Sequence, residues 1–354
     1  MFDSLTERQE KVLGFVVRNY IEVGQPVGSK TLVAQYDLDV SSATVRNDLA
    51  TLSELGYLTQ IHTSGGRVPT EQGYRYFVQK LLGDIRLPFN EKKMIQHQFH
   101  QARLDINQWM RLAAAILART SLGASFVTAP RYQFNRFKHV QLISTQGRLV
   151  LMILVFHGGD IKQQMLTLAE PITQAELSAV ANRLNNLFLD MSYEEIAARM
   201  NLIDDTLTED VTKLVLDFLL RSNRQGITDI YRDGLVNILE DEGTRQAVRI
   251  LEERTLLANV LSETEMTSDG VQVVIGGEGR WEELKDCSII LSRYGVPDYF
   301  SGTVAVIGPT RMPYGRNVAA VRYVANLMSG FVHEYYADES ANQDDLLDEG
   351  MTRE

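Results

Sequence analysis

Between residues 41 and 76 the spacing of apolar positions changes character, and the change predicts an order of elements. The stretch reads SSATVRNDLATLSELGYLTQIHTSGGRVPTEQGYRY. Val45, Leu49, Leu52 and Leu55 recur at three and four residues, the period of a helix with one apolar stripe. Ser41 and Ser42 stand ready to cap its free amides, and Gly56 stops it. Two short strand-like runs follow, 57–62 and 67–68, hinged at Ser64-Gly65-Gly66. Helix and then hairpin is how a winged helix-turn-helix ends, with a recognition helix and a wing. At about 100° per residue, Val45, Leu49 and Leu52 face inward. The opposite side carries Ala43, Arg46, Asn47, Ala50 and Glu54. Arg and Asn pair bidentately with guanine and adenine edges in the major groove, and Ala43 and Ala50 are small enough to let the backbone approach. Arg67, beside the glycine hinge, is placed to reach phosphate or minor groove. The candidate DNA contacts are therefore Ser42, Ala43, Thr44, Arg46, Asn47, Ala50, His62, Arg67 and, in the next helix, Arg75. Tyr74 and Tyr76 read as packing residues.

The same reading extends in both directions. Thr6 and Gln9 form a capping-box pattern ahead of a helix over 6–22, whose inner face is Leu13, Val16, Val17 and Tyr20. Ser29 opens a short second helix through Tyr36, and Asp37 to Val40 form the turn before the recognition helix. Three helices and a hairpin complete a winged-helix count. Thr70 caps a further helix through Leu82, and residues 90–122 are helical. Three apolar or alternating runs follow at 137–145, 148–156 and 160–168, separated by short turns as in an antiparallel meander. Capping boxes at Thr173/Glu176 and Ser192/Glu195 then open a helical stretch. Its widest apolar stripe is Val211, Leu214, Val215, Phe218 and Leu219. Strand-like runs return at 271–275, 288–292 and 302–307, and a last helix covers 317–335. A sheet that is interrupted by mostly helical residues and then resumes suggests an inserted domain.

Two segments, SSATVRNDLATLSELGYL with HTSGGRVPTEQGYRYFV, and VAVIGPTRMPYGRNVAAVRYVANLMS near the C-terminus, resemble the signature of the HrcA family, the heat-inducible transcription repressors of bacteria. Length and segment order fit over nearly the whole chain. The resemblance implies an α+β protein in three parts: a winged-helix domain, a GAF-like α/β domain with an antiparallel sheet, and a mostly helical dimerisation domain inserted into it. The expected boundaries are 1–88 for the winged helix, 89–169 and 265–336 for the GAF-like halves, 170–264 for the insert and 337–354 for an acidic disordered tail. The resemblance also implies a homodimer on double-stranded DNA, repression of chaperone operons at an inverted-repeat operator, release on heat stress, and a chaperonin as modulator. The competing reading is a ligand-responsive regulator that senses a small molecule through the GAF-like sheet.

Composition changes this picture in one respect. The net charge of −11 runs against nucleic-acid binding, but much of the acid lies in the tail, where residues 338–354 hold seven acids against Arg353, with Glu334 just before them. Residues 1–90 are close to neutral, with no Lys/Arg excess. A few well-placed contacts, doubled in a dimer, are expected in place of a basic face. The single Cys287 excludes an internal disulfide and fits a reducing, cytoplasmic setting. Asp3, Glu7 and Arg8 break any signal-peptide core, and the longest apolar run, 149–156, is too short to span a bilayer.

Candidate chemistry is thin. Gly276-Gly277-Glu278-Gly279 lacks the Lys-Ser/Thr of a phosphate-binding loop and reads as a turn. His97 and His100 lack a third ligand at metal spacing, Cys287 reads as core, and His157 reads as a turn residue. Neither a GxSxG nor an HExxH pattern is present. The expectation is a non-enzyme with no cofactor and no metal.

Overall fold

Thr6 accepts from the Gln9 amide while the Gln9 side chain accepts from the Thr6 amide, so the capping box forms as its spacing predicts. The structure, a computed structural model, describes residues 4–36, 40–61, 65–102, 105–132, 135–157, 161–224, 229–239, 245–253, 257, 260–261, 270–276, 281–296 and 300–351. Contacts divide the chain into two compact units, one of 1–129, 229–295 and 302–354, the other of 130–228 and 296–301.

The first unit begins with α1 (Glu7–Val23), α2 (Ser29–Tyr36) and α3 (Ser42–Glu54). Val12, Leu13, Val16 and Val17 of α1 are fully buried, as are Leu32 of α2 and Val45 and Leu52 of α3. The turn expected at 37–40 lies outside the described residues up to Val40. Gly56, at φ +80°, ends α3 in a conformation that only glycine adopts readily. The wing pairs β1 (Leu58–Thr59) with β2 (Val68–Pro69), antiparallel. Reciprocal 2.8 Å bonds between Val27 and Arg67 add a third rung at its base. Next, α4 (Glu71–Tyr76) continues as a π-helical turn, Phe77–Leu81. Thr70 caps α4 by accepting from Gly73, and its hydroxyl donates to the Gly56 carbonyl at 2.6 Å.

The remainder of this unit is built on a sheet. Its helices are α5 (Phe89–Gln101), α6 (Ile106–Ser121), α10 (Val236–Leu239), α11 (Arg245–Glu252) and the long α12 (Tyr314–Met351). The last runs into the acidic stretch, beyond the end near 335 that the sequence pattern predicts. The strand order is β8 (Ile230–Asp233), β3 (Ala124–Thr128), β11 (Phe300–Pro309), β10 (Cys287–Val296), β9 (Val271–Ile275), with β8–β3, β3–β11 and β10–β9 antiparallel. The short β4 (Arg131–Tyr132) pairs with the start of β11. Cys287 is buried at the start of β10, as its reading as core predicts. Trp109 of α6 stacks on Phe331 of α12 at 5.3 Å and closes the helical layer.

The second unit holds the meander: β5 (Phe137–Gln146), β6 (Leu149–Phe156) and β7 (Ile161–Thr167). These strands form a sheet of their own. The sequence pattern suggests one sheet that stops and resumes, and the structure has two. The reason is coverage. Phe137, Val140, Leu142, Val150, Met152, Leu154 and Phe156 share one face, and that face is covered by α7 (Gln174–Phe188), α8 (Tyr193–Ala198) and α9 (Thr206–Arg224). The stripe Val211, Val215 and Leu219 is buried in that core, with Leu214 and Phe218 packed against it. The Asn185 side chain ties α7 to β5 by bonding both the amide and the carbonyl of Val140, at 2.8 and 3.1 Å.

Gly73 is the tightest seam of the winged helix, because a Cβ there would overlap the Tyr57 carbonyl oxygen. Gly73→Ala is expected to cost about 1–3 kcal/mol in chemical denaturation, the range of overpacking strain. Gly28→Ala, with nothing within 4 Å of the added carbon, is expected to leave the midpoint nearly in place.

Candidate nucleic-acid interface

Burial sorts α3 into two faces. Val45, Asp48, Leu49 and Leu52 are buried, while Ser42, Ala43, Arg46 and Asn47 are exposed and Thr44 and Ala50 are half-buried. The Ser41 hydroxyl caps the helix by accepting from the Thr44 amide at 3.1 Å, and the two hydroxyls lie 3.0 Å apart. That cap satisfies one free amide at the end nearest Ser42 and Ala43. The Thr51 hydroxyl donates to the Asn47 carbonyl at 3.2 Å, and the Asn47 side chain itself is on the exposed face.

The acid within the buried stripe is the feature that pattern reasoning missed. Asp48 is 3% exposed, and Arg8 of α1 reaches it with a two-pronged bond, Nε to Oδ2 at 2.7 Å and Nη2 to Oδ1 at 3.0 Å. The pairing holds the Arg8 guanidinium above its usual pKa through that hydrogen bond and the carboxylate's charge. A fork of this kind fixes direction as well as distance. It locks the rotation of α3 about its axis against α1. A signal was present in the sequence: an acid on the inward side of an amphipathic helix needs a cation from another element.

The wing residues separate. Arg67 is half-buried, its main chain is bound to Val27 in both directions, and its Nε is enclosed with no hydrogen-bond partner among the described residues. His62 and Ser64 lie outside the described residues. Arg75 is half-buried on α4, one turn after Glu71. The Glu71 carboxyl packs on Gly276 at the end of β9. Burial pushes its pKa up while the charge of Arg75 pulls it down. Arg75 thus lies within electrostatic reach of Glu71, and the exposed set on α3 is Ser42, Ala43, Arg46 and Asn47. Tyr74 and Tyr76 are buried, as their reading as packing residues predicts. Tyr74 lies 5.7 Å from Tyr314, and Tyr76 donates to Glu10 at 2.5 Å.

Gly276 is buried at φ +61°, and the following glycines lie outside the described residues. Among the described residues no group of three potential metal ligands comes together, and no helix is long and apolar enough to cross a membrane.

With this geometry in place, comparison with known proteins is informative. The family model of the HrcA protein C-terminal domain matches residues 107–318, and that of a DeoR-like helix-turn-helix domain matches 28–71. The chain is 43% identical over 352 residues to the heat-inducible transcription repressor HrcA of Roseiflexus castenholzii, covering 96% of this chain and 98% of the relative. It is 42% identical to the protein of the same name from Herpetosiphon aurantiacus, covering 94% and 97%. To that from Dehalococcoides mccartyi strain ATCC BAA-2266 it is 35% identical, covering 96% and 100%. A crystal structure of a hypothetical protein at 2.2 Å resolution aligns with a TM-score of 0.57 and 25% identity, covering 94% of this chain and 98% of that one.

The Arg8–Asp48 fork generates a test of its own. Arg8→Ala is expected to destabilise the winged helix clearly more than Lys11→Ala, whose pairing with Glu7 is exposed on both sides. Adding Asp48→Asn to Arg8→Ala is expected to recover part of the loss, because a neutral amide is easier to bury than a lone carboxylate. Equal melting temperatures for Arg8→Ala and Lys11→Ala would show that the fork carries no weight.

Proposed function

This chain belongs to the HrcA family, and we propose that it is a cytoplasmic, DNA-binding repressor of heat-shock operons that reads an inverted repeat as a homodimer and is released on heat stress. The observation that carries the reading is the exposed face of α3, where Arg46 and Asn47 stand between small residues on a helix pinned from behind. Arg46 and Asn47 are assigned to base edges, Ala43 and Ala50 to close backbone approach, and Ser42 and Thr44 to phosphate at the helix N-terminus. Arg67 at the base of the wing is assigned to the sugar-phosphate backbone. A chaperonin is the modulator that the family resemblance implies.

The dimer rests on a surface. In β6 the inward residues Val150, Met152, Leu154 and Phe156 are buried, so Leu149, Leu151, Ile153 and Val155 point the other way. The register places Ile143 and Met165 beside Leu151, and Ile161 beside Val155. None of these seven belongs to the core of the second unit. Leu149, Ile161 and Met165 are 38%, 56% and 52% exposed. The same register sets Gln141 and Gln163 beside Ile153 and His139 beside Val155, so the apolar residues form a stripe along β6 with polar neighbours. An exposed apolar stripe rimmed by polar residues fits an interface, and a second copy of the same face satisfies it by two-fold symmetry. The helical stripe on α9 is already occupied inside its own unit, so the sheet face is where pairing is assigned.

Arg46→Ala and Asn47→Ala are each expected to lose ~1–3 kcal/mol of discrimination against mismatched operators, with the melting temperature nearly unchanged because both side chains are exposed. Arg67→Ala is expected to weaken binding to all sequences alike and to lower the salt slope by about one. The operator comes from selection on random DNA, and wild-type affinity and specificity in the two α3 variants would sink the assignment.

For the dimer, a Leu151→Lys, Ile153→Lys double variant places two charges on the open face and leaves the buried face of β6 intact. It is expected to sediment as a folded monomer and to lose roughly a hundredfold in operator affinity, the scale of avidity from a linked second site. A dimer that binds normally moves the interface elsewhere.

A further inference from the structure

We propose that the free edge of β7 is a docking site for an extended, unfolded stretch of polypeptide, which adds to the three-stranded sheet as one more strand. The two edges of this sheet differ, and the parity of its ladders shows how. Leu168 donates to the Arg148 carbonyl at 2.9 Å. From there the register runs without a slip, from Leu149 opposite Thr167 to Val155 opposite Ile161. Hydrogen-bonded and non-bonded rungs alternate in an antiparallel pair. Lys162, Gln164 and Leu166 therefore turn their main-chain groups toward β6. Those of Ile161, Gln163, Met165 and Thr167 point the other way, off the edge.

On β5 the outward groups belong to Val140, Leu142 and Ser144, and α7 seals them. Asn185 bonds the amide and the carbonyl of Val140 at 2.8 and 3.1 Å. Gln174 accepts from the Ser144 amide and donates to the Leu142 carbonyl, both at 2.8 Å. The segment after α7 closes the start of this edge, where Phe137 donates to the Met191 carbonyl and accepts from the Asp190 amide, each at 2.9 Å. Among the described residues nothing does the same for β7. Its four outward residues are exposed, and no hydrogen bond reaches their outward amides or carbonyls. A straight, unbulged edge of this kind is a template for another extended chain.

The chemistry of the edge selects the occupant. Its hydrogen bonds run from main chain to main chain, so any extended segment supplies them. Ile161 and Met165, 56% and 52% exposed, add apolar contact to side chains laid opposite. Gln163 and Thr167 are uncharged, so none of the four reads a particular sequence. A folded partner keeps its amides paired inside its own helices and ladders. An unfolded chain presents bare amides and apolar side chains together, and heating supplies such chains because native folds are only marginally stable. The edge groups lie in the plane of the sheet, so the pairing assigned above to the open face leaves them bare.

The test uses the full chain and two probes: a labelled peptide of alternating valine and threonine, and reduced, alkylated lactalbumin, a permanently unfolded chain. The peptide is expected to bind by fluorescence anisotropy and the unfolded lactalbumin to displace it, while native lactalbumin does not. Hydrogen exchange is expected to slow across 161–167 and to stay unchanged across 140–144. Met165→Pro removes an amide that faces off the edge and leaves the bonds to β6 in place, the position where an edge strand tolerates proline. It is expected to weaken the peptide roughly tenfold, the scale of one lost hydrogen bond. Gln163→Pro acts in the same way should Met165→Pro fold poorly, and exchange in the wild type needs neither variant. Absence of peptide binding, equal binding of the peptide N-methylated at every amide, protection away from β7, unchanged affinity in both variants, or displacement by native lactalbumin overturns the proposal. Slowed exchange across 161–167 that grows with protein concentration and needs no peptide also overturns it, by giving the edge to a second copy. None of these results bears on whether α3 reads DNA.

Discussion

Asp48 sits on the side of α3 that also carries Val45, Leu49 and Leu52, at 3% exposure. An unpaired carboxylate in that position would draw the helix round toward water. The fork from Arg8 removes that pull. Rotation matters more here than position along the axis, because neighbouring residues on a helix differ by about 100°. A turn of one residue would carry Asp48 onto the face now held by Asn47, and an acid would meet the negatively charged DNA backbone and base acceptors. Apolar contacts are non-directional, whereas a bidentate ion pair fixes direction as well as distance. The orientation of the exposed face, the one proposed to read DNA, is thus set by a contact on the helix's hidden side.

Glycines set the second constraint. Gly73 lies against the Tyr57 carbonyl, Gly66 lies 2.6 Å by its Cβ position from the Val27 carbonyl, and Gly315 receives the Ile85 side chain. Each is a close approach that a side chain would prevent. The first two hold α4 and the wing to the three-helix core. The last, with Asp84 to Arg322 at 3.1 Å and Glu91 to Arg316 at 3.2 Å, holds the segment after the winged helix to the start of α12. Within this unit the helix-turn-helix does not hang on a free linker, and a disturbance at the start of α12 has packed side chains through which to reach α1 and α4.

How much of this was legible follows from the range of each interaction. The three capping boxes and the end of α3 at Gly56 were readable because their partners lie within four residues. The α3 faces were readable because one side meets a core and the other meets water. Strand β3 gave no signal, because all five of its residues are buried and no alternation exists to detect. β8 is four residues long within a stretch that reads as helical. The Arg8–Asp48 fork spans 40 residues, and nothing local names the partner. The meander's allegiance was the largest gap. Its alternation identifies strands, but only packing decides whether the covering helices come from before or after it. One clue was present in LVLMILVF, where both faces of β6 are apolar: a strand with two apolar faces needs two covers, and within its own unit α7, α8 and α9 supply one.

The proposed pairing of two copies bears on how a nearly neutral winged helix makes a useful repressor. Residues 1–90 carry nine Lys and Arg against ten Asp and Glu, and α1 opens with acids that are already engaged, Glu7 with Lys11 and Glu10 with Tyr76. Such a domain gains little from counterion release, which supplies most non-specific affinity for DNA. Low non-specific affinity leaves few decoys along the chromosome, but it also leaves a single copy too weak to hold an operator. Joining two copies raises affinity through effective concentration without adding charge, and it does so only where two half-sites are correctly spaced. Occupancy then depends steeply on whatever keeps the copies joined. In the proposed dimer the bound pair and free monomers differ in one concentration-dependent contact, so operator occupancy would follow protomer concentration steeply. A strongly basic domain would stay on DNA as a monomer after that contact failed, and this one has no charge excess to hold it there.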